Sequence, residues 1–102
     1  MEYKLTMTKG DTLAFGFEVE GITDDLDTAV FAAWANPNEE DTLLFSKDLE
    51  DGVSKVSTGK YRVRVDPDDT ADAEPATYHY KLTIGLNDDV FTILKGRLVI
   101  EP

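Results

Sequence analysis

Hydrophobic and polar residues alternate along most of the chain with a period of two, which is typical of β-strands that bury one face. The clearest run covers residues 60–66, where Tyr61, Val63 and Val65 alternate with lysine and arginine. The same alternation predicts strands over residues 2–8, 12–20, 42–47, 53–56, 60–66, 77–86 and 90–100, and an apolar run predicts a strand over residues 28–36.

The alternation also predicts which side chains of these strands point inward. In the strand at residues 42–47, these are Leu43 and Phe45. In the last strand, Gly96 predicts a β-bulge at which the inward face switches. In the strand at residues 77–86, the predicted inward residues are Tyr78, Tyr80, Leu82 and Ile84.

Residues 28–36 are apolar on both faces, with Phe31 on one face and Trp34 on the other. Burial of both faces is typical of a central strand. A helix is the alternative, because alanine favours helices. We interpret the segment as a strand, because it is short and Asn36-Pro37 ends it.

A single helical turn is predicted near residues 67–73. Pro67 suits the first position of a helix, and Asp66 suits the N-cap. Asp68 and Asp69 then fall in the first turn, where the helix dipole favours negative charge. About seven or eight short strands, turn residues about every 8–12 positions and one helical turn together indicate an all-β antiparallel sandwich.

The composition limits this architecture further. With 102 residues, the chain has room for one domain, over residues 1–102, with one core. It has no cysteine, which excludes disulfides, thiolate metal sites and a cysteine nucleophile.

Its start lacks the basic and apolar segments of a signal peptide. The longest apolar run, residues 29–35, is far shorter than the roughly 18 residues of a membrane helix. We therefore expect synthesis in the cytosol and no membrane insertion.

The net charge is −11, from 10 basic and 21 acidic residues. A nucleic-acid-binding protein needs a basic face that displaces counterions from phosphates. The charge therefore argues against nucleic acids and anionic membranes as partners. It fits a soluble protein that stays dispersed at high copy number.

The sequence offers few candidates for catalysis. His79 is the only histidine, and the alternation points it away from Tyr78 and Tyr80. General-base chemistry would require it in a pocket beside a nucleophile or a carboxylate, so we interpret it as a surface residue of a strand. No glycine-rich phosphate loop, metalloprotease motif or hydrolase motif is present. We predict no enzyme activity and no catalytic, cofactor-binding or metal-binding residues.

Acidic residues cluster at residues 24–27, 39–41 and 66–72. The last cluster is the best candidate for calcium, which prefers several convergent oxygens. It departs from an EF-hand loop, because Ala71 stands at the glycine position and Thr77 at the position of the bidentate glutamate. We interpret the cluster as helix capping and solvated loops. A looser calcium site between strands and a paired-carboxylate glycosidase site are the alternatives.

Residues 66–84 have the layout with which immunoglobulin-like sandwiches pass from one sheet to the other, with a tyrosine at the corner of the entering strand. Nearly the whole chain also resembles the small immunoglobulin-like domains at the N-terminus of phage baseplate upper proteins and of related phage and prophage structural proteins of Gram-positive bacteria. The matching segments, in order, are KGDT at 9–12, LDTAVF at 26–31, TGKY at 58–61, DPDDT at 66–70, PATYHY at 75–80 and LKGRL at 94–98.

The resemblance implies a virion structural protein that acts by shape and without turnover. Such a domain would dock on a neighbouring tail or baseplate protein, as a homo-oligomer in a symmetric ring or trimer. Residues 2–8 and 90–100 are the candidate edges for strand pairing. The implied location is the virion, after synthesis in the cytoplasm of the bacterial host. No cofactor is implied.

The resemblance also implies roles for three aromatic residues. In immunoglobulin domains the corner tyrosine lies two residues before a cysteine, so Tyr78 matches the corner and Tyr80 takes the place of the cysteine. Trp34 resembles the core tryptophan that packs against the disulfide, and a binding surface is the alternative for it. Family members usually have glycine where this chain has Ala76. Alanine would be strained there if the position required a positive φ.

Two other functions compete with a structural role. An acidic inhibitor that mimics nucleic acid and blocks a host DNA-binding protein would need one continuous negative face. A carbohydrate-binding module would need exposed aromatic residues on one sheet face. We rank both lower, because the acidic residues lie mostly in separate loops and most aromatic residues alternate inward. The strand faces carry the basic residues Lys60, Arg62, Arg64 and Lys81.

Overall fold

The computed structural model describes residues 4–21, 23–36 and 39–102. Within these residues the chain forms eight strands and one short helix, and none of its helical structure is long and apolar enough to cross a membrane. The elements, in chain order, are β1 (Leu5–Thr8), β2 (Leu13–Glu18), β3 (Thr28–Asn36), β4 (Glu39–Lys47), β5 (Val53–Ser57), β6 (Lys60–Val65), α1 (Pro67–Thr70), β7 (Ala76–Leu86) and β8 (Asp89–Glu101).

The strands form two sheets. The larger sheet has the order β1-β8-β7-β3-β4, and the smaller has the order β2-β6-β5. Neighbouring strands of the described chain are antiparallel, except that β1 runs parallel to β8 with Leu5 opposite Leu98. The central position predicted for β3 is confirmed, because it lies between β7 and β4. The orders β2-β6-β5 and β8-β7-β3-β4 correspond to the two sheets of an immunoglobulin-type sandwich. The predicted all-β fold is therefore confirmed.

The core lies between the sheets and is built from the alternating inward positions. Phe31 is fully buried, and its ring centroid lies 5.2 Å from Phe15, 5.8 Å from Phe45 and 5.5 Å from Tyr80. Aromatic pairs of this kind stabilise by about 0.5–1.5 kcal/mol beyond their area burial. The Phe15 contact joins the two sheets in a chain without cysteine. The predicted inward residues of β6 and β7 are all buried, namely Tyr61, Val63, Val65, Tyr78, Tyr80, Leu82 and Ile84.

The connection from β6 to β7 forms a tyrosine corner. The Tyr78 hydroxyl donates a hydrogen bond to the backbone oxygen of Glu74 at 2.7 Å, which is the defining contact of this motif. Ala76 begins β7 and does not have a positive φ. Alanine is therefore free of backbone strain at this corner, where the phage domains that the sequence resembles usually have glycine.

The hairpin between β7 and β8 turns through two residues. Asn87 has a φ of 53° and Asp88 a φ of 70°, as a type I′ turn requires at both of its central positions. Asparagine and aspartate tolerate this left-handed conformation better than other non-glycine residues.

The predicted helical turn is confirmed as α1, with Asp66 at the N-cap and Pro67 at the first helical position. The Asp69 carboxylate accepts a hydrogen bond from the Asp66 N–H at 2.7 Å, as in a capping box. Thr70 is fully buried, and its hydroxyl accepts a hydrogen bond from the Gly10 N–H at 3.0 Å. α1 thereby ties the turn after β1 to the connection between the sheets.

The predicted inward direction in β4 is right for Phe45 and wrong for Leu43. Phe45 is 6% exposed, whereas Leu43 is 51% exposed. A register shift separates the pair Ala33–Phe45 from the pair Trp34–Leu43. This β-bulge breaks the alternation of β4, so Leu43 shares the outer face of the sheet with Trp34.

The predicted β-bulge in the last strand exists, but not at Gly96. Gly96 pairs with Tyr80 in regular register, so no side chain stands opposite the bulky tyrosine. The register shift lies between Leu94 and Thr92, with Ile93 as the extra residue. Gly96 therefore leaves room for the large Tyr80 side chain on the neighbouring strand and does not form the bulge.

Candidate docking surfaces

The outer face of the larger sheet, which points away from the core, carries His79 of β7. His79 is partly buried and lies opposite Trp34 of β3 and Arg97 of β8. Paired residues of an antiparallel sheet share one face, so these three side chains lie side by side. The predicted outward direction of His79 is confirmed.

Trp34 lies on this outer face, so its predicted place in the core is wrong. Alternation along β3 places Phe31 and Ala33 in the core, and Trp34 takes the opposite side. Its side chain is nevertheless only 8% exposed. Lys81 Nζ lies 5.7 Å from the ring centroid, which is a cation–π distance. Within the described residues, the buried indole N–H has no hydrogen-bond partner. Such a donor is costly for folding.

Basic residues of β7 and β8 extend the same face. Lys81 stands directly opposite Lys95, and His79 stands opposite Arg97. Like charges at opposite positions of adjacent strands are destabilising. Neither Lys95 nor Arg97 forms an ion pair with a carboxylate of residues 4–21, 23–36 or 39–102. Lys95 and Arg97 are also exposed, so their charges can meet an anionic partner. We call Trp34, His79, Lys81, Lys95 and Arg97 the basic face.

The hairpin of β7 and β8 presents an open strand edge. Its strands have 11 and 13 residues, whereas those of the smaller sheet have five or six. Within the described residues, β1 pairs with β8 from Leu98 onwards. Along residues 89–97, β7 is therefore the one strand beside β8 in the described chain. Near the turn, Val90 and Phe91 are 70% and 52% exposed, so the open edge carries two apolar side chains.

Carboxylates surround the turn of the same hairpin. Asp27 accepts a hydrogen bond from the Asn87 N–H at 2.9 Å, and together with Asp88, Asp89 and Val90 it lines a surface hollow of about 170 Å³. None of these three aspartates forms an ion pair with a basic residue in the described part of the chain. We call Asp27, Asp88, Asp89, Val90 and Phe91 the hairpin tip.

The acidic cluster at residues 66–72 binds a lysine of the chain itself. Lys47 is 4% exposed, and its Nζ lies 2.7 Å from Asp69, 3.7 Å from Asp51 and 3.8 Å from Asp66. Burial lowers the pKa of the Lys47 ammonium. The hydrogen bond to Asp69 and the charges of the three aspartates outweigh burial, so the pKa is raised above its ordinary value of 10.5. An ammonium group thus occupies the place where a calcium ion was considered.

The described residues contain no group of three or more histidine, aspartate or glutamate side chains arranged to hold a metal ion. Comparison with known proteins adds no family, because no family model matches the chain and no curated protein matches its sequence. The function is therefore argued from the basic face and the hairpin tip.

Sequence reasoning missed three of the residues that shape these surfaces. Lys47 lies two residues after Phe45 on the same strand, so the two side chains point to the same face. This spacing could have predicted that the lysine points inward. Phe91 pairs with Ile84 of the core face, so alternation alone predicts burial for it. The opposition of Lys95 and Lys81 depends on the bulge at Ile93, which no residue type in the sequence signals.

Proposed function

We propose that this chain is a non-enzymatic assembly module, a structural protein of a phage or prophage particle that docks on neighbouring tail or baseplate proteins. The observation that carries the proposal is the hairpin of β7 and β8, which in the described chain has an open edge along residues 89–97 and an exposed Phe91. The resemblance to phage baseplate domains supplies the class of partner.

An open strand edge is a place where another chain can add a strand, with backbone hydrogen bonds giving affinity and register. Soluble proteins protect such edges with charges and bulges. Lys95, Arg97 and the bulge at Ile93 protect one half of this edge. The half near the turn carries Val90 and Phe91 instead, and burial of the exposed half of a phenylalanine side chain stabilises a contact by about 1 kcal/mol.

The proposed locations are the virion and, during synthesis, the cytoplasm of the bacterial host. The proposed assembly is a homo-oligomeric ring or trimer, because every copy around a symmetric tail offers the same docking surface. Repetition also compensates for a weak single contact, since a closed ring makes each further contact intramolecular.

The geometry disfavours the two competing functions. A nucleic-acid mimic needs a continuous negative face, but the outer faces of the sheets carry Arg62, Lys95 and Arg97, which are exposed. A carbohydrate-binding module needs several exposed aromatic residues on one face. In the described chain, Phe91 is the one large aromatic side chain that is more than half exposed.

Mass spectrometry of purified particles tests the virion role directly. Particles are isolated from a strain that encodes the chain, by density gradient followed by size exclusion. We expect the chain to co-purify at a constant ratio to the tail proteins across the gradient. Its absence from intact, infectious particles would reject the proposal.

A pair of variants tests whether the hairpin is the docking element. In a strain that lacks its own copy, a plasmid supplies either wild type or the double variant Val90→Ser/Phe91→Ser. We expect at least about a tenfold loss of incorporation into particles, which corresponds to about 1.4 kcal/mol. Val56→Ser is the matched control, because Val56 is 66% exposed on β5 of the smaller sheet. Equal incorporation of all three proteins would rule out the hairpin.

A further inference from the structure

The basic face and the hairpin tip carry opposite charges that cannot meet within one molecule. Asp89 and Lys95 belong to the same strand, and their positions are about 20 Å apart along its axis. Lys95 and Arg97 on the face, and the three aspartates of the tip, form no ion pair within the described chain. Each surface also includes an apolar side chain that is about half exposed, Leu43 beside Trp34 and Phe91 at the tip.

We propose that the hairpin tip of one copy docks on the basic face of a second copy of this chain. The inference rests on the proposed function and names both the partner and the two surfaces of the assembly. Asp88 and Asp89 supply carboxylates to Lys95 and Arg97. Phe91 supplies apolar surface to Leu43.

The chemistry of the basic face selects an occupant rich in acceptors and negative charge. Lys95 and Arg97 are exposed cations that attract carboxylates. A nucleic acid would also be anionic, but it offers no apolar side chain to the exposed Leu43. The hairpin tip has the required charge and an apolar side chain, and it is present wherever this protein is present.

The contact joins different patches on the two copies, so it is heterologous. A heterologous contact closes into a ring or continues as a filament. Both patches are small compared with stable interfaces, which bury about 1,200–2,000 Å². We expect a dissociation constant of about 0.1–1 mM for a single contact, with a gain from ring closure.

Charge reversal on each surface gives a direct test. The face variant is Lys95→Glu/Arg97→Glu. The tip variant is Asp88→Asn/Asp89→Lys, in which asparagine tolerates the positive φ at position 88. The control variant, Lys60→Glu/Arg62→Glu, makes the same change in net charge as the face variant on the outer face of the smaller sheet. Circular dichroism and the thermal midpoint verify folding, and the milder changes Arg97→Gln and Asp89→Asn replace any double variant that fails to fold.

Sedimentation equilibrium at about 1 mM protein and low salt measures the assembly. We expect wild type and the control variant to exceed the monomer mass of 11.3 kDa. The face variant and the tip variant should each be monomeric. Their equimolar mixture should form a pair and nothing larger, because only one intact tip can meet one intact face.

The pairing would be overturned by a monomeric wild type, a control variant as impaired as the face variant, or a mixture that stays monomeric. If the face variant is monomeric but the tip variant still associates, the basic face binds an acidic partner other than the tip. This result would also overturn the pairing. Incorporation into particles is a separate readout. If the chain is found in particles while the mixture stays monomeric, this inference fails and the proposed function stands. If the chain is absent from particles while the mixture forms a pair, the proposed function fails and the inferred pairing of two copies stands.

Discussion

Gly52 shows how a single backbone position can be restricted to glycine for two reasons at once. Its φ is +98°, a region that other residues rarely adopt. A Cβ atom there would lie 2.7 Å from Lys47 Cδ and 2.9 Å from the Arg64 backbone oxygen. The Gly52 oxygen also accepts a hydrogen bond from the Arg64 N–H at 2.7 Å. The two backbone segments therefore cannot separate without losing this bond.

We expect Gly52→Ala to lower the free energy of unfolding by about 3 kcal/mol, which combines the cost of a left-handed alanine with that of overpacking. Gly10→Ala is the matched control, because Gly10 has a φ of +79° and no atom within 4 Å of an added Cβ. It should cost only about 1 kcal/mol. Urea titration followed by Trp34 fluorescence measures both. Similar losses for the two variants would show that the steric contact at Gly52 contributes little.

At the scale of elements, two tyrosines hold the two connections that pass from the smaller to the larger sheet. Between β6 and β7, the Tyr78 hydroxyl donates to the Glu74 oxygen. Between β2 and β3, the Tyr61 hydroxyl accepts a hydrogen bond from the Leu26 N–H at 2.9 Å. The two bonds differ in surroundings, since Glu74 is exposed and Leu26 is buried.

We expect Tyr61→Phe to destabilise the protein more than Tyr78→Phe. Loss of the Tyr61 hydroxyl leaves the buried Leu26 N–H without a partner, which costs about 2 kcal/mol. After Tyr78→Phe, water can satisfy the exposed Glu74 carbonyl, so the loss is about 1 kcal/mol. Both rings keep their packing, including the stacking of Tyr61 on Phe17 at 5.5 Å. Denaturant unfolding gives the two losses, and the reverse order would contradict this account.

The elements that the sequence predicted correctly are those specified by local chemistry. The alternation of β6 identified its buried face, and Asp66-Pro67 identified the start of α1. The errors at Leu43 and Gly96 have a different cause, because a β-bulge is a property of the pairing between two strands. Trp34 was misplaced by the family resemblance, although its parity with respect to Phe31 already assigned it to the outer face.

The local sequence specifies one of the two candidate surfaces, whereas the other depends on how two strands pair. The acidic turn after Leu86 is visible in the sequence. The basic face is not, because the hairpin register alone would place Lys81 opposite Leu94, and the bulge at Ile93 shifts Lys81 to Lys95. A single extra residue thus creates the like-charged cross-strand pair.

At the scale of the whole molecule, Lys47 connects the two layers in a chain that has no disulfide. It extends from the end of β4 in the larger sheet to Asp66 and Asp69 at the start of α1, which follows β6 of the smaller sheet. Its side chain is almost fully buried, so removal of the ammonium leaves Asp69 without its cation. Burial of such a pair makes it sensitive to the loss of either partner.

We expect Lys47→Met, which keeps most of the side-chain volume, to lower the free energy of unfolding by about 2 kcal/mol at neutral pH. Because the folded-state pKa of Lys47 is raised above 10.5, the folded protein binds this proton more tightly than the unfolded chain. The stabilisation is therefore fully present below the unfolded-state pKa and is lost as the pH rises through the folded-state pKa. The hydrogen bond to Asp25 also raises the pKa of Lys55, but Lys55 is present in both proteins and cancels in the difference. In urea titrations between about pH 7 and pH 12, the gap between wild type and variant should shrink at the alkaline end. A gap that stays constant would mean that Lys47 joins the layers through packing of its aliphatic chain and not through its charge.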